Sequence, residues 1–145
     1  MRRGFSLIIA IIFLVLVATI GMFSLNTSAV TAKQTTDIFL REQADLLAQS
    51  ATEVAILNLL QRNFSTDCPI TAGNEIIIKN QPFPNAANTL FRVTVRVDRL
   101  FGTIGTCVGD AISTPGSVGT VILDTVVRST TEIPVRVHRR TIQKL

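Results

Sequence analysis

The sequence predicts an α+β chain in which one long N-terminal helix, membrane-spanning in its first half, packs on a small antiparallel sheet. Three observations predict it. Residues 5–25 carry no charge. Residues 33–64 hold neither Gly nor Pro and repeat apolar positions at helical spacing. The second half of the chain contains short alternating apolar and polar runs broken by Gly, Pro, Ser and Asn, the pattern of strands joined by turns.

The apolar run FSLIIAIIFLVLVATIGMFSL spans roughly 30 Å as a helix, the thickness of a bilayer core. It lifts the mean hydropathy of the 145-residue chain to +0.43. Arg2 and Arg3 precede it, and positive charge resists translocation, so the N-terminus is expected in the cytoplasm and the remainder outside. A cleaved secretory signal is the competing reading, with small residues at Val30-Thr31-Ala32 and, more weakly, at Thr27-Ser28-Ala29. A signal peptide's apolar region is typically only 7–15 residues long, shorter than this run. A twin-arginine export signal would need a polar segment around Arg2-Arg3, and none is there.

From Lys33 the helix is expected to continue to about Asn63. Leu40, Ala44, Leu47, Ala51 and Val54 form a narrow apolar seam, which Leu57, Leu60 and Phe64 extend. Asn26-Thr27-Ser28 and Thr35-Thr36 are poor helix formers within it. Ser65 to Asn88, with Pro69, Pro82 and Pro84, reads as a loop holding a short strand at 75–79. Leu90–Asp98 alternates cleanly: Phe91, Val93, Val95 and Val97 face one side, while Arg92, Thr94, Arg96 and Asp98 face the other. Glycines 102, 105 and 109 break up a short segment around Cys107. Ser113–Ser117 is a turn, and Val118–Arg128 and Glu132–Arg140 are further strands. Such a sheet has too little apolar surface for its own core, and it is expected to bury one face on the helix seam. The chain therefore divides as residues 1–4, a membrane segment 5–25, a helical continuation 26–64, and a loop-and-sheet head 65–145.

Composition excludes several functions. One His and two Cys cannot build the usual four-ligand zinc site, and no metal or cofactor is expected. Without Trp or Tyr, the usual stacking platforms for single-stranded nucleic acid are missing. The net charge is +4; setting aside Arg2 and Arg3, the remainder holds 12 basic against 10 acidic residues. His138 stands among arginines with no nucleophile in a strained turn to serve, so no catalysis is read from it. The basic group Arg136, Arg139, Arg140 and Lys144 is read as a solvated strand face, since an exposed edge needs charge against aggregation. The competing reading is an electrostatic contact with nucleic acid. Arg92 and Arg96 receive the same reading.

Met1-Arg2-Arg3-Gly4-Phe5-Ser6-Leu7-Ile8 is a short basic leader ending in Gly, followed by Phe and a long apolar helix. This start resembles the type IV pilin family, which includes the pseudopilins of type II secretion. The resemblance in sequence covers residues 1 to about 25; beyond them it is architectural. It implies a pilin-like fold and cleavage by a prepilin peptidase after Gly4, with N-methylation of Phe5. It further implies a place in the inner membrane with the head in the periplasm, and packing against other pilin or pseudopilin subunits through the helix. The family's usual glutamate, four residues after the cut, falls on Ile9. That absence points away from an abundant major pilin and toward a minor subunit acting at initiation or at the tip of a pilus or pseudopilus. The family's frequent proline in the upper membrane segment is also missing; Asn26–Ser28 lies at about that place. The reading from a different class is a single-pass, inner-membrane-anchored periplasmic scaffold or receptor module that does not polymerise.

An extracytoplasmic head has an oxidising compartment available. Cys68, after the helix, and Cys107, in the sheet region, are read as a structural disulfide, in preference to a reactive thiol or a metal site. Such a bridge would contribute about 4 kcal/mol on the chain-entropy estimate.

Overall fold

The computed structural model describes residues 2–71, 75–131 and 133–145, with side chains from Leu7 onward in that range. Among these described residues there are one helix, α1 (Arg2–Gln61), and six strands: β1 (Ile76–Pro84), β2 (Thr89–Phe101), β3 (Thr103–Ile104), β4 (Cys107–Val108), β5 (Thr120–Ser129) and β6 (Arg136–Lys144). A single 3₁₀ turn at Pro115–Ser117 fills the expected turn. The fold is α+β, a long helix packed on a small antiparallel sheet.

The chain forms two units, one reaching to Phe39 and one from Leu40 to Leu145. The first is helical, and its apolar side chains from Leu7 to Leu25 are more than half exposed. By length and composition this helix can cross a membrane. The second unit begins at Leu40 because that is where the helix starts to pack on the sheet. The compact unit that holds the sheet thus also takes in the helix from Leu40 onward.

In the second unit four strands form one antiparallel sheet in the order β1-β2-β5-β6. The short β3–β4 hairpin is an excursion from the connection between β2 and β5. One face of the sheet buries Phe91, Val93, Val95, Val97 and Leu100 from β2, and Val121, Leu123, Thr125 and Val127 from β5. Each buried Val or Leu contributes roughly 1.5–3 kcal/mol. Against them lie Ala44, Ala48, Ala51, Ala55 and Leu59 of α1, all buried. The seam thus starts as expected and then departs. Val54, Leu57 and Leu60 are exposed, and Ala48, Ala55 and Leu59 take their place. A straight helix repeats every 3.6 residues, so a row picked at 3.5 drifts off the buried face within a few turns. Alanine at 44, 48, 51 and 55 also lets helix and sheet approach closely, whereas Val54, Leu57 and Leu60 lie outside the interface.

The helix ends at Gln61, two residues short of the expected Asn63. Asn63 stops it: its Oδ1 accepts from Ser65 N at 3.1 Å, and its carbonyl accepts from Thr66 N and Asp67 N. Such an Asx turn offers the backbone an alternative to the helical ladder. The predicted short strand at 75–79 is longer, running to Pro84. Pro82 and Pro84 are tolerated because β1 is an edge strand, where missing N–H donors need no partner. In β2 the register slips between Val97 and Arg99, leaving Asp98 as an extra residue. This bulge puts Leu100, not Arg99, into the core and lets the strand continue to Phe101.

Candidate functional site

The outer face of the sheet, away from α1, is where charged side chains gather. Alternation along β2, β5 and β6 sets three cross-strand rows by register. The first is Arg92, Arg128 and Arg136; the second Thr94, Val126 and His138; the third Arg96, Asp124 and Arg140. They line a depression of about 690 Å³ together with Ile76 and Asn80 of β1.

The third row is compensated. Asp124 is 5% exposed. Its Oδ2 accepts from Arg96 Nε at 3.1 Å, and its Oδ1 accepts from His138 Nε2. Burial alone pushes the Asp124 carboxyl up. The hydrogen bonds from His138 and Arg96, with the positive charge of both, outweigh it and hold the carboxyl below its ordinary value. Asp98, the bulge residue, accepts from Arg140 at 3.2 Å and stands 4.0 Å from Arg96. The first row has no such compensation. Among the described residues no carboxylate lies within ion-pair distance of Arg92, Arg128 or Arg136.

The structure separates the predicted basic group at the end of the chain. Arg136 and Arg140 share the outer face with Arg92 and Arg96. Arg139 pairs in register with the inward Thr125 and belongs to the opposite face. Lys144 donates to the Gly116 carbonyl at 2.8 Å, tying β6 to the 3₁₀ turn. Arg128 and Asp124 were missed, although alternation along β5 places them on the same face as Arg92 and Arg96.

Cys68 and Cys107 are joined in a disulfide, with Cα atoms 5.3 Å apart. The loop after α1 lies on the β3–β4 hairpin around them. Thr106 donates to Ser65 O at 2.9 Å through its hydroxyl. Gly105, at φ +58°, brings the turn against Phe64, whose backbone would meet an added Cβ at 3.0 Å. Gly4 and Phe5, the predicted processing site, fall within α1, and their side chains lie outside the described residues. Ile9 is about half exposed on the apolar segment.

Chemically the outer face can hold anions. No hydroxyl or thiol is hydrogen-bonded to His138 among the described residues, and none of their His, Cys, Asp and Glu side chains cluster as a metal site. No protein-family model, curated protein or solved structure matches the chain.

Proposed function

We propose that the chain is a minor pilin-type or pseudopilin-type subunit, a structural component of a type IV pilus or type II secretion pseudopilus acting in assembly initiation or at the tip. The observation that carries this reading is α1. One helix starts in the basic-Gly-Phe segment, continues through a charge-free apolar stretch, and ends as a buried seam under an antiparallel sheet. The stretch from Leu7 to Leu25 leaves large apolar side chains uncovered, which calls for lipid or neighbouring chains around them. Val54, Leu57 and Leu60 add a second uncovered stripe within the head unit, suited to contact with other subunits.

On this reading the protein sits in the bacterial inner membrane with its N-terminus cytoplasmic and its head periplasmic, before entering a filament. Its partners are lipid, a prepilin peptidase acting between Gly4 and Phe5, and other pilin or pseudopilin subunits. It works by packing, without turnover or cofactor. N-terminal sequencing of protein extracted from membranes tests this. The reading expects a mature start at Phe5, N-methylated. A start at Val30 or Lys33 would mean an ordinary signal peptide and overturn it.

A further inference from the structure

We propose that the row Arg92–Arg128–Arg136 is a binding site for phosphate groups, either of a free condensed phosphate or of a phosphodiester backbone. The three residues stand directly opposite one another on β2, β5 and β6. Neighbouring strands are ~4.8 Å apart, so the row spans about 10 Å. Like charges directly opposite each other on a sheet destabilise it. The third row, on the same strands, places Asp124 between Arg96 and Arg140. The sheet therefore accommodates a carboxylate at the central position in one row and an arginine in the other. A merely solvated face would be served by mixed charges, whereas among the described residues no carboxylate pairs with this row.

The chemistry of the row selects the ligand. Guanidinium presents a rigid fork of donors matched to oxyanions. Asp124 shows what satisfies a carboxylate here: one guanidinium and one imidazole. Three guanidiniums exceed that, and suit a group with more acceptor oxygens and more than one negative charge. No Phe, Tyr or Trp lines the depression, and its imidazole, His138, is engaged with Asp124, so bases would find none of the usual stacking platforms. A nucleic acid would be held by its backbone alone, without sequence preference.

The test is calorimetric titration of the full chain in neutral detergent with tripolyphosphate, with short duplex DNA, and with a polyglutamate peptide. Saturable tripolyphosphate binding is expected, weakened about tenfold or more by Arg128→Gln and unchanged by Arg99→Gln, whose side chain pairs with Asp110 at 3.3 Å. Without phosphate, Arg128→Gln should raise the thermal midpoint by about 1–4 °C, because it relieves repulsion in the row. DNA binding that tripolyphosphate competes away identifies a phosphodiester source. Tripolyphosphate binding without DNA binding identifies a free phosphate; both outcomes uphold the site. The proposal is overturned by absent saturation, by insensitivity to Arg128→Gln, by a lowered thermal midpoint in that variant, or by tighter binding of polyglutamate.

Discussion

The hydroxyl of Thr125 on β5 lies 2.8 Å from that of Thr52 on α1, and both residues are buried at the helix–sheet interface. Thr52 also reaches the Ala48 carbonyl at 2.8 Å. A carbonyl only accepts and a hydroxyl has one proton, so Thr52 donates to Ala48 and Thr125 donates to Thr52. This directional chain is the polar link inside an otherwise apolar seam, and it fixes which helix face meets which strand.

The direction makes an asymmetric prediction. Thr52→Val strands a buried donor on Thr125 and should cost about 1–3 kcal/mol. Thr125→Val removes that donor and leaves Thr52 bonded to Ala48, so it should cost about 1 kcal/mol or less. Thr52→Val/Thr125→Val should recover part of the loss of Thr52→Val alone. Denaturant unfolding of the three variants measures this. If Thr125→Val is the worse single variant, the assigned donor is reversed.

The close approach of α1 to the sheet rests on small side chains. Ala48 and Ala55 are fully buried, while Val54 and Leu57 on the same helix are more than half exposed. Ala48→Leu should therefore destabilise by about 1–3 kcal/mol or more through overpacking. Leu57→Ala should stay within about 0.5 kcal/mol in the isolated chain. Similar costs for the two would mean that the helix presents a different face to the sheet.

These positions also mark where the sequence was legible and where it was not. Ala44 and Ala51 were recognisable as core because they sit in phase with Leu40 and Leu47. Ala48 and Ala55 were passed over for Val54, Leu57 and Leu60, since hydrophobicity ranks a leucine above an alanine even where the packing distance favours the alanine. β2 could be read from its alternation, but only to Asp98, because a bulge breaks the period without any Gly or Pro to announce it. The charged face was half visible: Arg92 and Arg96 stood out on one strand, and Arg136 and Arg140 on another. Their meeting through Arg128 and Asp124 depends on the pairing of β5 with both neighbours, which no local pattern states.

Acid stability should follow Asp124. Its carboxyl is held below the ordinary value, so the folded state binds its proton less readily than the unfolded state. That contribution is fully present above the unfolded carboxyl pKa, about 3.9. It is lost as pH falls through the lower folded value. Asp124→Asn should destabilise the head by about 1–3 kcal/mol at neutral pH, since charge-assisted bonds to Arg96 and His138 are weakened. The gap between variant and wild type should narrow below pH 4. Thermal midpoints recorded from pH 7 to pH 2 show this; a gap that widens toward acid would reverse the sign.

The Cys68–Cys107 bridge ties the loop after α1 to the β3–β4 hairpin. Closing a loop of this length is worth about 4 kcal/mol on the chain-entropy account. Cys68→Ser/Cys107→Ser should lower denaturation midpoints accordingly, and reductant should do so for wild type but not for the variant. Equal response of both proteins to reductant would show that the bridge is not what reductant acts on.

The last prediction concerns Ile9 and rests on the proposed subunit role. A subunit entering a filament core brings a positive N-terminal amine into apolar surroundings, and an unpaired buried charge there is strongly unfavourable. A carboxylate near the start of the helix would offset it, and Ile9 places an aliphatic side chain at the position where one would serve. Each added copy of this chain would deepen the charge imbalance, so long runs of it should not propagate. It should enter in few copies, beside subunits that carry the missing carboxylate or at the start of assembly. Quantitative mass spectrometry of sheared filaments should find it as a small fraction of total subunits, and deletion of its gene should reduce the number of filaments more than their length. Ile9→Glu should raise its share in filaments. Finding the wild-type chain as the dominant component would remove the charge argument, and the minor-subunit role would go with it.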